Sequence, residues 1–343
     1  MKLKINSKLL GELVAVKSLS TDCSECRKAL NLIKKQLDAK QIVVKIGEFN
    51  GQPHLISGDI NSADILFLSH IDVVSSSGQI FELKISGNLL KGRGVFDMKG
   101  PMLASLEAFI KLPDEVRNRI LFVITSDEEI GGFHGTSKLT KLFKNIKLAI
   151  VPDGGSGENI VVNQRAPLHV KLSHKGVAVH ASRPAEGINS VETLAKCCIE
   201  LSNRIPNCSI TVFNGGDAIN KVPDSASATL DIRIESEKDS TMIRHLLATI
   251  SVKYNCLFEE IDNPLFFEAD PNNIYISRFK DLVGSSFVTE AGTSDARFLW
   301  SDLHIPIIVT SADGGGAHSD AEWVDAESLN KLATNIYNFV INL

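Results

Sequence analysis

The chain has 343 residues, enough for two domains and a substantial core. Hydrophobic residues make up 43% and charged residues 22%, and the formal net charge is -5, the balance of an ordinary globular protein. No block of like charge offers a footprint for nucleic acid or an anionic membrane, and no run of 18 apolar residues offers a membrane span. The opening MKLKINSKLLGEL has no long apolar h-region, so no signal peptide is expected and a cytoplasmic location is. Six cysteines, Cys23, Cys26, Cys197, Cys198, Cys208 and Cys256, are too sparse for a disulfide scaffold. Cys23 and Cys26 have C-x-x-C spacing, but a second pair and a following thioredoxin-like strand and helix are missing. Two plain thiols near the start of the first helix are the favoured reading over a redox site.

Apolar spacing of Ala29, Leu30, Ile33 and Leu37 predicts a helix over about 25–39. Short strands are expected at 43–49, 54–59 and 63–74. The last, ADILFLSHIDVV, is too apolar for a sheet edge and reads as central. The turn-rich SSSGQ and the stretch FELKISGNLLKGRG follow. Pro101 then stands near the start of a helix over 101–110, where proline is tolerated. RILFVITSDEE and KLAIVPDGG complete an alternation of strands and helices, the mark of an α/β layered domain. From 166 to 263 the order changes to strand, helix, strand, strand, helix, strand (LHVKLSHKG to CLFEEIDN), which is the ferredoxin-like motif. The chain then returns to the first pattern through a helix near 273–283, the strand SSFVTEAG, a helix after Ser294, IPIIVTSA and a last helix. The expected organisation is therefore a domain of residues 1–165 and 264–343, interrupted by a second at 166–263.

Polar residues gather where strands end: His70 and Asp72 in SHIDVV, Asp97 in GRGVFDMKG, Asp127, Glu128 and Glu129 in SDEE, Asp153 in VPDGG, and His318 in GGGAHSDAEW. Sites in α/β sheets form beyond the carboxyl ends of strands, so these segments can converge on one crevice. Singly, each has an ordinary reading as a turn residue, a solvated loop or a satisfied histidine. Together, two histidines and several carboxylates match a divalent metal site with mixed N/O ligands. The acids outnumber the needs of one zinc, which suggests two metals sharing a carboxylate. Cations also answer the crowding in SDEE, since two like charges ~5 Å apart repel by about 3 kcal/mol at an effective dielectric of ~20.

In these motifs the sequence resembles the metallopeptidase-20 family of co-catalytic zinc amidohydrolases. SHIDVV, GRGVFDMKG, SDEEIGG, PDGG, HASRP, NKVPDSASATLDIR, GTSDARF and GAHSDAEW follow the family order over essentially the whole chain. The resemblance implies a zinc-peptidase-like catalytic domain, a mixed sheet flanked by helices, with an inserted ferredoxin-like α+β domain acting as lid and dimerisation module. It implies two divalent ions, zinc first with cobalt or manganese as substitutes. His70 and Asp153 would bind one, Glu129 and His318 the other, with Asp97 bridging. Asp72 would orient His70. Glu128 would be the general base on the attacking water and then the acid for the leaving amine. A cis peptide is implied between Asp97 and Met98. His180 would reach the partner active site of a homodimer and stabilise the oxyanion. Asn220, Arg233, Gly292, Thr293 and Ser294 would hold substrate, Arg233 as a fork for a carboxylate. Read without the family, His180 is a strand-end surface histidine, and Arg233 is equally well one solvated position on an alternating strand.

Asp153 departs from the glutamate usual in desuccinylases and deacetylases and agrees with the family's aminopeptidases and dipeptidases. GTSDARF, by contrast, looks like the desuccinylase loop. The expected activity is thus metal-dependent hydrolysis of an amide in a short peptide or N-acyl amino acid. A dedicated N-acyl-amino-acid deacylase is one alternative, and a non-catalytic, metal-stabilised binding protein is another. The presence of Glu128 argues against the last, since a scaffold has no need of an acid beside five ligands.

Overall fold

A computed structural model describes residues 2–76, 78, 80–261 and 264–343. The chain forms two compact units: Met1–Asn163 with Ala269–Glu290 and Ser294–Leu343, and Gln164–Glu268 with Ala291–Thr293. Among the described residues, no helix is long and apolar enough to cross a membrane.

The first unit is built on a mixed sheet. Its middle is parallel, with Ile65–His70 between Ile120–Thr125 and Leu148–Val151, and Ile307–Thr310 beyond the latter. Gln52–Ser57 pairs antiparallel on one flank and Ile160–Gln164 on the other. The strands ILFLSH and ILFVIT are buried along their whole length, as expected for parallel strands covered on both faces. Phe67 and Phe122 are fully buried, each contributing about 1.5–3 kcal/mol by transfer from water. Cys23–Asp38 forms as its spacing predicts, its first turn capped by Asp22 accepting from the amides of Ser24 and Glu25. Lys99–Lys111 is buried almost throughout, which is why its hydrophobic periodicity is weak.

The second unit has the strand order Cys208–Gly215, Ser225–Ile234, Ala166–Lys175, Leu257–Glu260, all antiparallel, with helices Ser190–Arg204 and Glu237–Lys253. Alternation along SASATLDIRI is strict, one face buried and one not.

Several elements of the first unit have no counterpart in the sequence pattern, among them helices Ser7–Ala15 and Asp114–Arg117 and strands Lys84–Ser86, Leu89–Lys91, Ile160–Gln164 and Trp323–Asp325. Helix Ser7–Ala15 is capped by Asn6 and buries Leu9, Leu10, Leu13 and Val14, but at nine residues its pattern is short. Strand Ile160–Gln164 follows the Gly154–Gly157 turns too closely to show a period of its own. The predicted strand end at Asp262 and Asn263, and Ser77 and Gln79 of SSSGQ, lie outside the described residues.

Candidate metal centre

The parallel strands deliver their last residues to one end of the sheet. His70 closes its own strand, Asp127–Glu129 follow Thr125, and Asp153 follows Val151 by two residues. The loop holding Asp97 and the turn holding His318 join them. Two groups of ligand atoms result, each lying within 4.8 Å of one another: His70, Glu128 and Asp153, and Asp97, Glu129 and His318.

Asp97 links the groups. Its Oδ1 lies 3.2 Å from His70 Nε2, and its Oδ2 3.2 Å from His318 Nε2. Asp153 Oδ2 is 3.9 Å from His70 Nε2, and Glu129 Oε2 is 2.8 Å from His318 Nε2. Ligands ~2.0–2.1 Å from a tetrahedral cation stand about 3.3 Å apart, so these separations bracket the edge of such a polyhedron. The peptide Asp97–Met98 is cis.

One of the two imidazoles is held in a fixed orientation. His70 Nδ1 lies 3.0 Å from the Asp72 carbonyl and 3.3 Å from Asp72 Oδ1, so in the neutral imidazole Nδ1 carries the proton and Nε2 the lone pair. Asp72 is itself fixed, its Oδ2 accepting from Ser20 Oγ at 2.7 Å and from the amide of Glu129 at 3.1 Å. One carboxylate thus registers a residue of each group.

Asp127, which the sequence leaves without a role, shapes the loop. Its Oδ2 accepts from the amides of His134 at 2.7 Å and Gly135 at 2.9 Å. The loop also needs Gly132, at φ +67°, because a Cβ there would stand 2.1 Å from Asp295 Oδ1. Asp295 is buried and accepts from Thr136 Oγ1 and, at 3.3 Å, from Thr125 Oγ1. Neither its burial nor its partners could be read from GTSDARF.

Burial and the neighbouring charges shift these groups. Burial lifts Glu128 and Asp153 well above the ordinary carboxylate range and Asp295 to about 6. Hydrogen bonds to Asp97 and Glu129 lift His318 to about 10. Burial alone would depress His70, but hydrogen bonds to Asp72 and Asp97 hold it well above its usual value. Buried carboxylates crowded against two imidazoles are a donor set suited to divalent cations, so the residues fit two such ions.

Most of the remaining expected residues belong to the second unit. His180 is exposed in the second unit, and its Nδ1 accepts from the amide of Ser182 at 3.2 Å. Its neutral form therefore bears the proton on Nε2, as a donor. Asn220 neighbours it, its carbonyl accepting from the amide of Ala181. Arg233 holds Asp231 with two nitrogens, each at 3.0 Å. Gly292 is exposed, Thr293 half-buried, and Ser294 buried at the entry to helix Ala296–Leu303. Cys26 is buried, its thiol pushed up to about 12 by desolvation, which suits packing better than redox chemistry.

A mixed α/β sheet with paired acid–imidazole groups at its strand ends defines a metallohydrolase. Residues 66–342 match Peptidase family M20/M25/M40, and the chain belongs to that family. It is a hydrolase of amide bonds. The chain is 28% identical over 337 residues to the succinyl-diaminopimelate desuccinylase of Ehrlichia canis (strain Jake), covering 88% of this chain and 84% of that protein. Its fold is similar to a tripeptidase from Staphylococcus aureus subsp. aureus Mu50, with a TM-score of 0.78 and 21% identity over 98% of both chains. It is also similar to a Bacillus subtilis protein described as a dinuclear metal binding peptidase from M20 family. There the TM-score is 0.69 and the identity 15%, over 98% of this chain and 99% of that one.

Proposed function

We propose that the chain hydrolyses the amide bond of a short peptide or N-acyl amino acid with two divalent cations, zinc by preference. The carrying observation is Asp97, whose two oxygens face two different imidazoles at equal distance. His70 and Asp153 would hold one cation, Glu129 and His318 the other, and Asp97 both. When bound, the ions supply Lewis acidity toward a water and the scissile carbonyl. The chain's own residues do the rest. Glu128 takes the proton of the attacking water and returns it to the leaving nitrogen, a task suited to a carboxyl whose pKa is raised. Asp72 keeps His70 in one tautomer. Asn220, Arg233, Gly292, Thr293 and Ser294 bind substrate. Arg233 does so while shared with Asp231, which orients its fork in advance. Cytoplasmic residence accords with six free cysteines.

The desuccinylase and tripeptidase names among the similar proteins span the two halves of this substrate class. A panel of di- and tripeptides, N-succinyl and N-acetyl amino acids, assayed with zinc-loaded protein, is expected to give metal-dependent turnover on at least one member. No turnover across the panel with zinc, cobalt or manganese would sink the proposal.

The second unit would act as lid and as the dimerisation surface, with His180 stabilising the oxyanion in the partner's site. Strand Cys208–Gly215 ends its sheet in the described residues and exposes Ile210, Val212 and Phe213. An exposed apolar edge of that kind is normally covered, here by a second copy. Val212→Lys is expected to halve the mass seen by light scattering and to lower kcat together with it. A wild-type monomer of full activity would remove the trans role of His180.

A further inference from the structure

The segment that follows His318 ends in a second acid, Glu322, to which neither the motif reading nor the family match gives a task. Its side chain is 1% exposed. Four donors close on it. Oε2 accepts from Arg93 Nη1 at 2.9 Å and the amide of Gly94 at 3.0 Å. Oε1 accepts from the amides of Phe96 at 3.0 Å and Asp97 at 3.1 Å. The loop Gly94–Asp97 is therefore wrapped around one carboxylate from a segment 225 residues away in sequence. Arg93 is also buried, so the charge is balanced where water is excluded. The same short segment carries His318, whose Nε2 meets Asp97 Oδ2 and Glu129 Oε2.

Two segments that each bring a ligand atom are thus joined by a bond set that touches no ligand side chain. We infer that Glu322 is a positioning residue for the cation site of Asp97, Glu129 and His318: it docks the Asp97 loop onto the His318 turn and fixes their register. This rests on the reading that those three residues hold a cation. A carboxylate suits the task because both oxygens must accept. A glutamine would turn its amide nitrogen toward one pair of donors, and an aspartate is one methylene too short to serve all four.

The test titrates zinc or cobalt calorimetrically into metal-free wild type, Glu322→Gln and Glu322→Asp, and records the visible spectrum of the cobalt forms. Wild type is expected to bind two cations. Both variants are expected to bind one normally and the second about 10–100-fold more weakly, the range for residues that orient ligands, with a changed cobalt spectrum. Glu322→Asp keeps the charge pair with Arg93 and so separates positioning from folding. Asp320→Asn, on the same segment but half-exposed, bonded to Ser76 and only 3.9 Å from Arg93 Nη2, leaves all four bonds to Glu322 in place and is expected to behave as wild type. Folded variants with wild-type affinity and spectrum overturn the inference, whatever their melting temperatures. It is overturned equally if neither variant folds, since the carboxylate then holds the fold rather than the site. A wild type that binds no cation removes the two-cation reading itself.

Discussion

Glu128→Gln is expected to lower kcat by at least about a thousandfold while the protein keeps both cations, the loss expected when a general acid–base is removed. The geometry makes metal content as informative as rate. Glu128 shares the space of His70 and Asp153 closely enough to be counted with them as a ligand. Its neighbour Glu129 is committed to His318 at 2.8 Å. If Glu128 were a ligand, the glutamine would lose a cation and activity together. If it is the base, the isosteric glutamine fills the same place, cannot accept the water's proton, and leaves the cation count at two. Atomic absorption beside steady-state kinetics separates the cases. Turnover within tenfold of wild type would dismiss the base altogether.

The acids at 127–129 show how far the sequence carries. Their place at the end of a buried strand follows from the apolar run Ile120–Ile124, and that run is a strand. Their division of labour does not follow. The turn Glu128–Ile130 rotates successive side chains apart, so that Glu128 and Glu129 join different groups, and Asp127 turns back to the amides of His134 and Gly135. Separations of that kind depend on dihedral angles that no periodicity encodes. Glu322 is the same lesson at longer range: an acid four residues after a candidate ligand looks like a solvated turn until Arg93 and three amides are folded around it. The five proposed ligands were legible because each closes a strand or sits in a glycine-rich loop. Ser20 and Asp295 were not, because ordinary serines and aspartates acquire their partners only through tertiary packing.

Asp97→Asn is expected to do more damage to the site than the loss of any other proposed ligand. Asp97 faces His70 with one oxygen and His318 with the other. An asparagine keeps one oxygen and presents an NH₂ group to the second imidazole, which cannot ligate. The variant should hold at most one cation with wild-type affinity, and its kcat/KM should fall by about a thousandfold or more, since stabilisation of developing charge would come from one side only. Fold stability is expected to change little, because the Asp97 amide, not its carboxylate, is what Glu322 holds. The two halves of the residue thus separate: the backbone belongs to the loop's architecture and the side chain to the cations. Replacement of Asp153 by Asn gives the contrast. Among the described residues it is ion-paired with His70 alone, at 3.9 Å, so its loss should leave the cation held by Glu129 and His318 in place. Equal cation losses in the two variants would show that Asp97 bridges nothing.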